Sequence, residues 1–276
     1  MASAIRHTLN PVGCLFHLWH HRSLILQLVK KAVLVRYRGT FLGLVWAFIQ
    51  PLLMLTVYTF VFSVIFEAKW GQGLDQSRLS FALALFTGIL TFNIVGDTVS
   101  ASPDLIFHHT NFVKKVVFPL EILPLVKLIE SIIYSIFGMA VLIATQILAT
   151  HHLHWTLILL PLVWLPVAFF ALGWSYFIAS LGVFVRDIGS VTNVAVTMLF
   201  FLSPIFYPLT AVPDKLRFYC QLNPIAIFVQ DARRVVLWGD APDWQWFGIC
   251  FLISLAVFML GFNWFMKTKH AFADVM

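Results

Sequence analysis

The chain has 276 residues, of which 61% are hydrophobic and only 11% charged; soluble domains run at roughly 45–50% apolar and about 25% charged. This balance cannot clothe a water-soluble surface, and it excludes a cytosolic enzyme, a disordered tail and a secreted disulfide scaffold. The net charge of +6 is therefore expected at the cytoplasmic membrane face rather than on nucleic acid.

The stretch 24–35 is too short for a span and carries Lys30 and Lys31 in its middle, unlike the apolar core of a signal peptide. Wound as a helix, it places Ile25, Leu28, Val29, Ala32 and Val33 on one face and Gln27, Lys30, Lys31 and Arg38 mostly opposite, with Leu34 out of pattern. Such a helix is expected to lie in the membrane surface and lead into the first span. A helix crossing about 30 Å of hydrocarbon needs about 20 apolar residues. Uncharged runs predict six such crossings and an all-α membrane protein: 41–66, 79–101 (interrupted by Asp97), 130–150, 155–185, 188–208 and 244–266. The uncharged run 131–185 is far too long for one helix. It must turn once, at the polar patch His151, His152 and His154.

Lys and Arg collect on the cytoplasmic side of spans, which sets the orientation. With both termini inside, the inner set is Arg6, Arg22, Lys30, Lys31, Arg36, Arg38, Lys114, Lys115, Lys127, Arg186, Lys267 and Lys269, against Lys69, Arg78, Lys215, Arg217, Arg233 and Arg234 outside. The two-to-one excess predicts cytoplasmic termini: a region 1–40, a six-helix domain 41–266 and a tail 267–276. Cys14, Cys220 and Cys250 then fall in a cytoplasmic tail, an external loop and a span, and form no disulfide framework.

Two connections are elaborate. The inner one, 102–127, holds His108, His109, Asn111, Lys114, Lys115, Pro119 and Pro124. The outer region 204–243 opens with SPIFYPLTAVP, whose Pro204, Pro208 and Pro213 forbid a regular helix. Asn223 and Pro224 then make an N-cap and first-turn pair. Ile225, Phe228, Val229, Ala232 and Val236 form an apolar stripe, and Gly239 is a stop. This pattern fits short helices re-entering the outer leaflet to cap a pathway. It fits equally a helix lying flat on the surface.

No Gly-Lys dipeptide occurs, so the chain has no Walker A lysine. All ten histidines lie outside the spans, which argues against an intramembrane metal site or proton relay; the histidine patch at 151–154 is read as a solvated loop. Asp97 and Glu130 are expected at cytoplasmic helix ends, solvated or paired with Lys127. Aromatic residues make up 16% of the chain, 28 of them Phe. Trp155, Trp244 and Trp246 suit interface belts, while Tyr58, Phe62, Phe200, Phe201 and Phe206 are candidates to line a conduit, where sugar rings stack on aromatic faces.

The runs VRYRGTFLGLVWAFIQPLLMLTVYTFVFSVIF, NFVKKVVFPLEILPL, FVRDIGSV and FLSPIFYPLTAVP with LNPIAIFVQDARRVVL together resemble the polysaccharide-exporting branch of the ABC-2 permeases. The likeness spans 23–266 in the family's order and is greatest to the Wzm-type membrane subunit of O-antigen exporters and its teichoic-acid counterpart. The resemblance implies a coupling helix at Asn111, Phe112, Lys114, Lys115, Phe118 and Pro119 that docks on a separate ATPase. It also implies a junction of the interface helix and first span at Lys30, Lys31, Arg36, Tyr37 and Arg38. The gate would involve Pro204, Pro208, Asn223, Pro224, Phe228 and Val229, and the conduit would lie along spans one and five. Glu121 stands where a basic pairing could be disturbed. The implied assembly is a homodimer with two cytoplasmic ATPase chains, which bind the ATP and Mg; this chain holds no cofactor. It would sit in a bacterial inner membrane and move an undecaprenyl-diphosphate-linked polysaccharide, O-antigen or alternatively teichoic acid or capsule. A drug or lipid ABC-2 permease is a further alternative; a membrane acyltransferase lacks its intramembrane His or nucleophile motif here.

The missing phosphate-binding loop yields a direct expectation. The purified chain alone should hydrolyse no ATP, assayed as phosphate release in detergent or nanodiscs; turnover without an added ATPase subunit would contradict this reading.

Overall fold

Long apolar runs hide their backbone polar groups from lipid by helical hydrogen bonding, and among the described residues every regular element is helical. The computed structural model describes residues 13, 18–65, 78–109, 118–208, 211–213, 215, 220 and 222–275. The α-helices in chain order are α1 (Arg22–Tyr37), α2 (Trp46–Tyr58), α3 (Arg78–Ala101), α4 (Ile122–Thr150), α5 (Leu160–Phe184), α6 (Ile188–Leu202), α7 (Pro224–Arg233), α8 (Trp244–Thr268) and α9 (Phe272–Val275). Tighter or wider turns extend several of them: Gly43–Val45 leads into α2, Thr59–Ile65 follows it, Trp155–Leu159 precedes α5 and Arg234–Trp238 continues α7.

Among the described residues, five segments are long and apolar enough to cross a membrane: Gly43–Phe62, Leu79–Ala101, Ile122–Thr150, Trp155–Phe184 and Trp244–Ala271. The expected crossing at 188–208 holds a shorter apolar helix. Its helix α6 has 15 residues and ends at Leu202, a length of about 22 Å at 1.5 Å per residue. Ser203 is extended at ψ 145, because the ring of a following proline disfavours the helical conformation in the residue before it. The third span also differs from its expected start at 130. Helix α4 begins at Ile122, where Ile122, Leu123 and Val126 are buried. Pro124 stands in its first turn, where no intrahelical N–H is required. The inner connection therefore ends at Glu121. The turn after α4 does fall at the histidine patch, with His151 left-handed at φ 55.

Helix α3 is the centre of the bundle. Between Phe81 and Val99 only Asp97 is exposed, and α2, α4, α5, α6 and α7 all pack on it. Its threonines Thr87 and Thr98 are met within the helix: Thr87 Oγ1 donates to Leu83 O at 2.8 Å and Thr98 Oγ1 to Ile94 O at 2.7 Å. Among the described residues the α5–α8 pair is the most extensive contact between helices. Gly173 and Gly261 face each other across it, and a Cβ built on Gly173 would lie 2.6 Å from the Phe258 backbone nitrogen. Small residues thus let two backbones touch where hydrophobicity gives no preference for helix over lipid. Tyr176 is fully buried beneath Phe258, Phe262 and Phe265.

Helix α1 follows its predicted stripe, with Ile25 and Val29 buried and Lys30, Lys31 and Leu34 exposed or half-exposed, and it packs on α4. The segment after α8 packs on the bundle. Phe272 is fully buried against Phe184 and Phe265.

The glycine contact gives a sharp test. Gly261→Val should cost about 3 kcal/mol or more through overpacking, read as loss of a monodisperse peak or a lowered melting temperature in detergent. Gly248→Ala, where an added Cβ meets open space, should be silent.

Candidate functional site

Residues Asn111, Phe112, Lys114 and Lys115, expected to form the coupling helix, lie outside the described residues. Phe118 and Pro119 are half-buried just before α4. Glu121 follows them, buried, with Lys269 Nζ 3.3 Å from its carboxylate; the Tyr176 hydroxyl donates to its backbone oxygen at 2.7 Å. Glu121 is thus itself paired, and the end of the inner connection is tied to α5 and to the segment after α8.

At the junction of α1 and α2, Lys30, Lys31 and Arg38 are exposed while Tyr37 is buried. The Arg36 guanidinium lies 4.1 Å from the Tyr134 ring centroid, and Tyr37 meets that ring edge-on at 6.2 Å. Gly39 and Gly43 take φ 83 and φ 53, left-handed angles that let the chain reverse from α1 into α2.

Four of the five conduit candidates come together. Phe206 packs on Phe62 at 6.0 Å, on Phe200 at 5.0 Å and, stacked, on Phe201 at 5.7 Å. Tyr58 stands apart and meets Phe86 at 6.5 Å. Periodicity does not reveal the other half of the cluster, Phe81 and Phe92 on α3, since a wholly apolar helix has no face to pick out.

The outer region is organised around Asn223 and Arg233. Asn223 Oδ1 accepts from Ile225 N at 3.0 Å and its amide donates to Ser203 Oγ at 2.9 Å, so one side chain caps α7 and fastens it to the end of α6. Pro224 occupies the first position, as expected. Phe228 and Val229 are buried, and α7 packs on α3, α5 and α8. Pro204 and Pro208 flank the half-buried Phe206 in the turn after α6.

The charge count places Arg233 among the outer-loop cations. It is instead 1% exposed. Its Nε donates to Ala84 O at 2.8 Å, Nη1 to Pro204 O at 2.8 Å and Nη2 to Ile205 O at 2.7 Å. Gly88 on α3 makes room for it, since a Cβ there would sit 2.7 Å from Nη2. One signal is present in the chain: Arg233 is four residues beyond Val229, on the apolar stripe itself. Asp231, beside it, accepts from Asp243 N at 3.1 Å, and burial pushes its carboxyl up to about 6.

A cavity of about 290 Å³ opens between α1, α2, α3 and α4. Arg36, Gln50, Asn93, Asp97 and Tyr134 line one part, and Tyr58, Phe86 and Phe200 another. Of the two acids expected to be solvated or paired with Lys127, Asp97 is exposed and Glu130 pairs with Lys127 at 3.1 Å.

Apolar helices of spanning length, stacked around a buried central one, define a multi-pass membrane protein. Residues 23–238 match the ABC-2 type transporter family, and the chain belongs to that family. It is similar to an O-antigen export system permease protein of Myxococcus xanthus, 24% identical over 93% of this chain and 96% of the relative. A Klebsiella pneumoniae protein of the same description is 22% identical over 95% and 98%. A capsule polysaccharide export inner-membrane protein of Neisseria meningitidis is 23% identical over 87% and 89%.

Arg233→Met should leave the buried Pro204 and Ile205 carbonyls without the guanidinium donor, at on the order of 1–3 kcal/mol for each unmet group before relaxation. The melting temperature in detergent should fall by several degrees, and Arg233→Lys should recover only part of it, because an ammonium lacks the planar fork.

Proposed function

We propose that this chain is the membrane subunit of an ATP-driven exporter that carries a lipid-linked polysaccharide, O-antigen in the first instance, across a bacterial inner membrane. One observation carries the reading: permeases described as O-antigen exporters align with 93% and 95% of the chain, nearly end to end. The Neisseria relative favours capsular polysaccharide as the second reading. The aromatic cluster of Phe62, Phe200, Phe201 and Phe206 supports a glycan cargo, since sugar rings present C–H faces that stack on such walls.

In this reading both termini are cytoplasmic, α1 lies in the inner membrane surface, and two copies of the chain form the conduit. The faces left uncovered on α2 (Leu52, Leu53, Val57) and α6 (Val194, Met198, Phe201) are apolar and suit a second copy. Two ATPase chains bind ATP and Mg and hydrolyse the nucleotide. Their closure reaches the membrane through the connection that carries Asn111, Phe112, Lys114, Lys115, Phe118 and Pro119. Glu121 passes the displacement on, through its backbone oxygen to Tyr176 on α5 and through its carboxylate to Lys269 after α8. At the outer side α7 is the gate, a re-entrant helix whose Phe228 and Val229 seal against the bundle and whose Asn223 and Arg233 hold the broken end of α6. Glycan on undecaprenyl diphosphate then passes from the cytoplasmic to the outer leaflet.

The reading is tested by deletion and complementation. Loss of the chain should trap long glycan inside the cell, seen by surface staining and gel analysis of intracellular lipid-linked material. Lys114→Glu with Lys115→Glu should insert normally yet fail to restore surface glycan, because reversing two charges weakens docking on the ATPase. Normal surface glycan after deletion would overturn the export reading.

A further inference from the structure

Between Phe81 and Val99 on α3, the most buried helix of the protein, one residue alone is exposed, and it is the carboxylate Asp97. Among the described residues it makes no hydrogen bond or ion pair, because Lys127 is taken by Glu130. The side chains of Asn93, one turn earlier on the same face, and of Gln50 on α2 likewise make none among the described residues, and Tyr134 holds the Arg36 guanidinium against its ring at 4.1 Å. All four line one cavity, together with Arg36. Unpaired donors and acceptors that share one cavity are open to a ligand able to meet several of them at once.

We propose that this cavity binds one neutral sugar ring. The donor set decides the class. Arg36 only donates, Asp97 only accepts, and the two amides do both; hydroxyls, which also do both, can satisfy all of them at once. The opposite charges of Arg36 and Asp97 cancel within the lining, which disfavours a phosphate, while the guanidinium disfavours a metal cation. The volume of about 290 Å³ holds roughly ten waters at about 30 Å³ each, room for a single hexose with a few waters. Tyr58, Phe86 and Phe200 border the polar part and offer flat faces to the ring's C–H side. The inference deepens the export reading and rests on it: the ring is one unit of the exported glycan, held at a fixed place beside the α1–α2 junction before it moves along the aromatic cluster. The chain then reads a sugar as well as conducting it.

The test uses the full chain with its ATPase partner in lipid nanodiscs and a panel of methyl glycosides of glucose, galactose, mannose and N-acetylglucosamine, followed by saturation-transfer NMR. At least one member should bind the wild-type complex. Asp97→Asn, which keeps the shape and removes only the charge, should weaken that binding about tenfold, the equivalent of one charge-assisted hydrogen bond. Gln50→Ala, at an exposed position whose loss leaves the packing intact, should weaken it severalfold even if Asp97→Asn fails to assemble. Binding by no member of the panel, binding undiminished in the variants that assemble, or displacement by sodium diphosphate would each overturn the sugar site. This outcome is separate from failure of the export reading, in which deletion of the chain leaves surface glycan normal whatever the glycosides do.

Discussion

A helix that breaks inside an apolar bundle exposes carbonyls that no water can reach, and the fold depends on how that break at Ser203–Ile205 is met. The guanidinium of Arg233 meets it, with three hydrogen bonds of 2.7–2.8 Å to Ala84, Pro204 and Ile205. Because one of those oxygens belongs to α3 and two to the turn after α6, a single side chain joins the outer helix α7 to the central helix and to the aromatic turn at Phe206. Asn223 adds a second bond from the start of α7 to Ser203. Without these, the prolines that stop α6 would leave a frayed end in the middle of the protein.

The opposite end is tied together by different physics. Tyr176 reaches the Glu121 backbone, Lys269 reaches its carboxylate, and Phe272 fills the space under Phe184 and Phe265. The inner connection is therefore attached to the α5–α8 pair, the most extensive helix contact among the described residues, where glycines allow the two backbones to meet. Between the two ends lie the cavity with Asp97 and the phenylalanine cluster, bordered by α2 and α6, two helices with large uncovered apolar faces.

Hydrophobic run length and charge asymmetry are properties of the chain alone, so the all-helical membrane class, the turn at His151 and the limits of most spans are legible in the residues themselves. The stripe on α1 and the Asn223–Pro224 start of α7 are legible for the same reason: periodicity and capping act within a few residues. The family-bearing runs are legible as well, because they are contiguous. The early start of α4 is not, since Lys127 and Glu130 read as a solvated end although their own ion pair lets them join the helix. The shortness of α6 is hidden because apolar composition continues through Phe206 although the backbone helix cannot.

What only the tertiary structure decided is which polar groups are satisfied. Charge by itself reads as solvent exposure, which puts Arg233 in a loop. Arg233 is buried because carbonyls from two distant segments, 149 and 28–29 residues away, converge on it. Asp97 is exposed, as charge predicts, but it lines a cavity shared by several helices. Burial in an apolar helix follows from composition; partnership follows from where several helices happen to meet, and no local pattern encodes that meeting.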